Sequence, residues 1–145
     1  MKDSLIQKAV QIAFAMSPIV REHRCSHFAF LVRKGMIRHI GWNKLKSHPR
    51  NRNYAYGPLA GLHAELDSVL RSGKEDLSDY SMLVLRINKN NKLDLSKPCA
   101  GCSGLIKQTG IYEVTYSNAH GKFETIYPGK CSIISCRRDR DLETA

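Results

Sequence analysis

Pro98-Cys99-Ala100-Gly101-Cys102 and, upstream of it, His63-Ala64-Glu65 carry more chemistry than any other part of this 145-residue chain. Cysteines three positions apart lie about 60° apart around an α-helix, so both thiolates can reach one ion. The pair is best placed at the start of a helix, where the positive end of the dipole lowers thiol pKa. A histidine from a separate segment supplies a third ligand. Three nitrogen and sulfur ligands plus a water make the open tetrahedral arrangement of a catalytic zinc (Zn2+), whereas structural sites close with four protein ligands. Glu65, two residues beyond His63, is then placed to handle protons on that water. A bare Cys-x-x-Cys would equally suit a redox motif or a zinc knuckle. The two halves in this order, with proline before the first cysteine, narrow the choice.

His63-Ala64-Glu65 followed by Pro98-Cys99-x-x-Cys102 resembles the signature of the zinc-dependent cytidine and deoxycytidylate deaminase superfamily, H-x-E…P-C-x-x-C. The resemblance extends over about Ser26 to Ile126, with a Glu65-to-Pro98 interval longer than is usual there. It implies a cytidine-deaminase-like three-layer α/β/α sandwich.

The length fits one domain, 1–145, with a core over about 26–127 and a charged tail over about 137–145. Apolar content of 42% is ordinary for a globular chain. No apolar run approaches the roughly 20 residues needed to span a bilayer, and no signal-peptide pattern opens the chain, so no membrane partner is expected. Five cysteines (25, 99, 102, 131, 136), an odd number with two committed to metal, suit a reduced, cytoplasmic protein. A net charge of +10 points to phosphate-bearing partners.

Along the chain, Ser4 and Gln7 have the spacing of a capping box. The apolar stripe Leu5, Ile6, Ala9, Val10, Ile12, Ala13 and Met16 then predicts a sheet-packing helix that stops at Ser17-Pro18. His27 to Val32 reads as a strand covered on both faces, turned by Lys34-Gly35 into a partner over Met36 to Trp42. This hairpin is expected to set His27 opposite His39. From Asn43 to Ala60 runs a long polar loop of the functional kind. Leu62 to Arg71 reads as a helix with Ser72-Gly73 as its C-cap, Tyr80 to Ile87 as a strand, and Asn88 to Lys92 as a turn insertion. A cysteine helix ending near Thr109-Gly110 and strands over Ile111 to Tyr116 and Phe123 to Tyr127 complete the order α-β-β-α-β-α-β-β around a five-stranded mixed sheet. The connection Ser117 to Lys122 is too short for a parallel crossover, so the last two strands should be antiparallel. Deaminases of free nucleosides resemble that arrangement.

The resemblance implies hydrolysis of a cytosine amino group to give uracil and ammonia, with His63, Cys99 and Cys102 holding zinc and Glu65 as general base and then acid. It also implies that Asn43 bonds a sugar hydroxyl or a phosphate-side oxygen and that Ala64 borders the substrate. The residue type alone would allow Asn43 a plain Asx turn. Tyr54 and Tyr56 are aromatics in a polar loop that could stack on a base or simply fold over the sheet. Between Arg21 and Arg52 nine basic residues stand against the single acid Glu22, and Lys44, Lys46, Arg50 and Arg52 are the phosphate candidates. Trp42 and Cys25 are expected to pack, and His120 to lie in the last turn near the site.

The substrate expected is a free cytosine nucleoside or nucleotide of CMP/dCMP type. The basic stretch keeps single-stranded DNA or RNA open as an alternative, with nucleic-acid editing as the role. A homo-oligomer, dimer or tetramer, is compatible with the family. The non-enzyme rival is a structural zinc module closed by Cys99, Cys102, Cys131 and Cys136, which would leave Glu65 without a task.

Overall fold

The computed structural model describes residues 1–22, 25–46, 48–49 and 61–130. The hydrophobic run after Ser26 forms β1 (Ser26–Arg33), the most thoroughly buried strand of a hairpin with β2 (Met36–Trp42). β3 (Ser81–Ile87) pairs antiparallel with β1 on its other side, placing Phe28 between Trp42 and Leu85. β5 (Glu113–Ser117) runs parallel to β3, and β6 (Phe123–Ile126) returns antiparallel to β5, as the short connection demanded. The strand order is β2-β1-β3-β5-β6, with the two-residue β4 (Leu93–Asp94) pairing with the far end of β3.

Alternate residues of these strands feed two cores. On one face, Ile6, Ala9 and Ala13 of α1 (Asp3–Val20) pack on Phe28, Phe30, Val32, Leu83, Leu85 and Ile87. On the other, α2 (Ala64–Ser72) and α3 (Ala100–Thr109) cover Ala29, Leu31, Met82, Val84 and Val114 with Leu66, Val69, Leu105 and Ile106. The molecule is thus a three-layer α/β/α sandwich of the cytidine-deaminase-like kind. β2 touches α2 most closely at Gly41: a Cβ there would lie 2.3 Å from the Ser68 backbone nitrogen and 2.5 Å from the Ala64 carbonyl oxygen. No side chain fits at that point.

Four expectations change. α1 begins one residue before Ser4, with Lys2 in the N-cap position and no side-chain cap, so the capping box does not form. The helix also runs through Pro18 to Val20, because proline removes one N–H while the Arg21 amide still reaches the Ser17 carbonyl at 3.1 Å. The sheet has six strands rather than five. The extra strand follows a tight turn in which Asn88 Oδ1 accepts from the amides of Asn90 and Lys92, at 2.9 and 3.1 Å. Finally, His39 faces Leu31, not His27: the Lys34-Gly35 turn pairs Arg33 with Met36, which already puts residue 39 opposite residue 30, and a bulge between Leu31 and Val32 moves it one further.

Candidate functional site

α2 and α3 both start at the same end of the sheet, and each start is capped by a residue of the motif. His63 is the N-cap of α2 and Cys99 the N-cap of α3, both in extended backbone conformation and neither using its side chain as a cap. Their side chains are therefore left to face one another. Cys102, in the first turn of α3, is fully buried, whereas Cys99 is exposed. His63 Nδ1 lies 3.7 Å from Cys99 Sγ and 3.5 Å from Cys102 Sγ.

These three donors lie within 4.8 Å of one another. Zinc bonded tetrahedrally to sulfur at about 2.3 Å and to nitrogen at about 2.0–2.1 Å would hold each nitrogen–sulfur pair about 3.6 Å apart. The observed spacing matches, and the donor set of two thiols and one imidazole is a zinc set. The three side chains fit the ion.

The electrostatics agree. Hydrogen bonds from Cys102 and His63 pull the Cys99 thiol down to about 3, so it is a thiolate at neutral pH. The contact with Cys99 in turn raises the His63 imidazole against the opposing effect of burial. Glu65 is 6% exposed, and burial pushes its carboxyl above the ordinary range while hydrogen bonding to backbone and to Cys102 opposes the rise. A carboxyl in that condition exchanges protons near neutral pH more readily than an exposed one.

A cavity of about 520 Å³ opens beside this group. His63, Ala64, Glu65 and Cys99 border it, together with Cys25, His27, Asn43 and Lys44. That volume suits a small organic ligand. Gly61, Leu62 and, next to Pro98, Ser96 and Lys97 also line it.

The predicted substrate residues divide. Asn43 borders the cavity, but its side chain also ties the start of β1: Oδ1 accepts from the His27 amide at 2.9 Å and Nδ2 donates to the Cys25 carbonyl at 3.3 Å. An Asx turn is not what holds it. Lys44 borders the cavity with its ammonium 2.6 Å from Asp67 Oδ2. Lys46 is exposed and outside the cavity lining. Arg50, Arg52, Tyr54 and Tyr56 lie outside the described residues, as do Cys131, Cys136 and the charged tail. His120 is exposed, in the β5–β6 turn, away from the lining. Cys25 does not pack as a core residue: it is half-buried at the cavity and accepts from Arg86 Nη2 at 3.3 Å.

Sequence reasoning missed His27, Ser96 and Lys97 as lining residues. The position of Lys97 beside Pro98 was a usable signal; that of His27 depends on the strand register. It also assigned no role to Asp67, a buried carboxylate whose partners come from β2, the segment after it and α2 itself.

No protein-family model matches the chain, and no curated protein sequence matches it. Solved structures do. The chain is similar to the dCMP deaminase of cyanophage S-TIM5 in its apo form, with a TM-score of 0.54 and 21% identity over 82% of this chain and 86% of that one. The same phage enzyme in complex with dCMP and dUMP gives a TM-score of 0.54 and 22% identity over 82% and 85%. Cytidine deaminase from Burkholderia pseudomallei gives a TM-score of 0.58 and 19% identity over 89% and 94%. The chain therefore has the fold of the cytidine and dCMP deaminases.

Proposed function

We propose that this protein is a zinc-dependent hydrolase that converts a cytosine base to uracil and releases ammonia, acting on a free nucleoside or nucleotide of CMP/dCMP type. The observation that carries the reading is the pair of spacings, 3.5 and 3.7 Å, between His63 Nδ1 and the two thiols, with the buried Glu65 carboxyl bordering the same cavity. Zinc, when bound, supplies a water acidified toward neutral pH. Glu65 would be the proton carrier of the reaction, serving ring N3 and then the departing amino group. His63, Cys99 and Cys102 hold the ion, and Ala64 and Asn43 border the base and sugar.

Two observations favour a small substrate. The last two strands are antiparallel, the arrangement that free-nucleoside deaminases resemble. A solved structure of the same fold holds dCMP and dUMP. Lys97 brings positive charge to the cavity lining, which suits a phosphate, whereas the Lys44 ammonium there is paired with Asp67. The described cysteines form no disulfide, which suits a reducing compartment such as the cytoplasm, and no described helix is long and apolar enough to cross a membrane.

A second reading, deamination within single-stranded DNA or RNA, draws on the basic stretch before α2. A panel of cytidine, CMP, dCMP and a cytosine-bearing oligonucleotide, assayed for uracil, separates the two. Turnover of the free substrates with a shallow salt dependence supports the first reading. Turnover of the oligonucleotide alone, with affinity falling steeply as salt rises, replaces it with the second. No uracil from any of the four overturns the reaction.

A further inference from the structure

His63 and Glu65 lie between two fastenings, and both attach to the same short piece of chain at the end of β2. Ahead of them, Leu62 and Lys44 exchange backbone hydrogen bonds of 2.9 and 3.0 Å. Behind them stands Asp67, 5% exposed, whose Oδ2 accepts from three donors. These are the Trp42 amide at 3.0 Å, the Lys44 ammonium at 2.6 Å and the Arg71 Nε at 3.0 Å. Lys44 thus grips the motif on both sides, with its backbone before His63 and its side chain after Glu65. The Asp67 amide also donates to the His63 carbonyl at 2.9 Å, closing the first helical turn around the motif.

An ion pair on a helix surface contributes little to anything. This one is different in geometry. A single oxygen takes donors from the end of β2, from the segment after it and from the next turn of α2, so a small slide or rotation of α2 lengthens at least one bond. The same slide would carry the N-cap His63 away from the thiols on α3. Gly41 permits the close approach of helix and strand that makes the network possible.

We propose that Asp67 is a positioning residue: bound to Trp42, Lys44 and Arg71, it fixes the first turn of α2 so that His63 stays aligned with Cys99 and Cys102. Zinc is named as the probe on the strength of the proposed function, but the proposal concerns the alignment and is read by metal affinity rather than by turnover.

The experiment compares the full chain with Asp67→Ala, Asp67→Asn and Lys44→Met by zinc competition against a chromophoric chelator, well below the unfolding temperature. Trp42 is the single tryptophan, with Lys44 Nζ 4.4 Å and the Arg71 guanidinium carbon 4.2 Å from its ring centroid, so its emission reports whether the network has opened. Asp67→Ala should weaken zinc binding about 10- to 100-fold. Asp67→Asn keeps an oxygen for the Trp42 amide, and Lys44→Met keeps the backbone pairing with Leu62, so both should fall between. Zinc affinity within twofold of the parent, with Trp42 emission shifted, overturns the proposal; should Asp67→Ala not fold, Asp67→Asn decides by the same criterion. A parent chain that binds zinc but yields no uracil defeats the proposed reaction alone, and an active parent whose variants bind zinc equally well defeats the positioning role alone.

Discussion

His63 and Cys99 occupy the same position in two different helices: each caps an N-terminus, and the two N-termini converge on one side of the sheet. The positive ends of both helix dipoles therefore lie beside the thiols and the imidazole. That field favours negative charge on the Cys99 sulfur, in the same direction as its lowered pKa.

The first prediction follows from the depressed Cys99 thiol. With its pKa near 3, Cys99 is charged across the whole neutral range, so lowering the pH from 8 to 5 leaves its thiolate fraction unchanged. An ordinary thiol with a pKa of about 8.5 loses nearly a thousandfold in thiolate over that interval. Iodoacetamide labelling of the metal-free protein, followed at the Cys99 peptide by mass spectrometry, should therefore be nearly flat with pH. Added zinc should suppress it. Cys102, fully buried, should label far more slowly.

Glu65→Gln should retain zinc at parental stoichiometry and lose turnover by about 10²- to 10⁴-fold, the range supplied by a positioned proton carrier. Metal analysis and the uracil assay on one preparation check both halves. Zinc loss in this variant would make Glu65 a ligand instead.

Gly41→Ala should destabilise the fold by about 3 kcal/mol, the upper end of overpacking costs, because the new methyl meets backbone rather than a side chain that could swing aside. Thermal unfolding measures this. The same displacement of α2 should weaken zinc binding, which chelator competition detects.

Cys131→Ser with Cys136→Ser separates a three-ligand site from a closed four-cysteine one. Zinc retained with unchanged affinity is expected. Loss of the ion would assign it to a structural module.

Legibility in the sequence followed the range of the interactions. The Lys34-Gly35 hairpin, the Gly73 and Gly110 helix ends and the Cys99–Cys102 spacing are written within a few residues, and each stands where local chemistry puts it. The short β5–β6 connection was enough to set strand direction. β4 was invisible because two residues carry no period. The extension of α1 past Pro18 is closed by the Arg21 amide and by the bond from Ser17 to Ser26, whose hydroxyls lie 2.9 Å apart. A helix-breaking signal could not anticipate that. Asp67 shows the limit most clearly: its decisive partners Trp42 and Lys44 are 25 and 23 residues away, and nothing in Glu-Leu-Asp-Ser announces them.

Among the described strands, β3 and β5 are the one parallel pair, and α3 rides on the passage between them. A parallel neighbour is reached only by carrying the chain back over the sheet. His63 therefore stands on the passage from β2 to β3, and Cys99 and Cys102 on the passage from β3 to β5. A donor set divided between two crossovers is whole only when both are seated, so it belongs to the folded sheet and to neither segment alone.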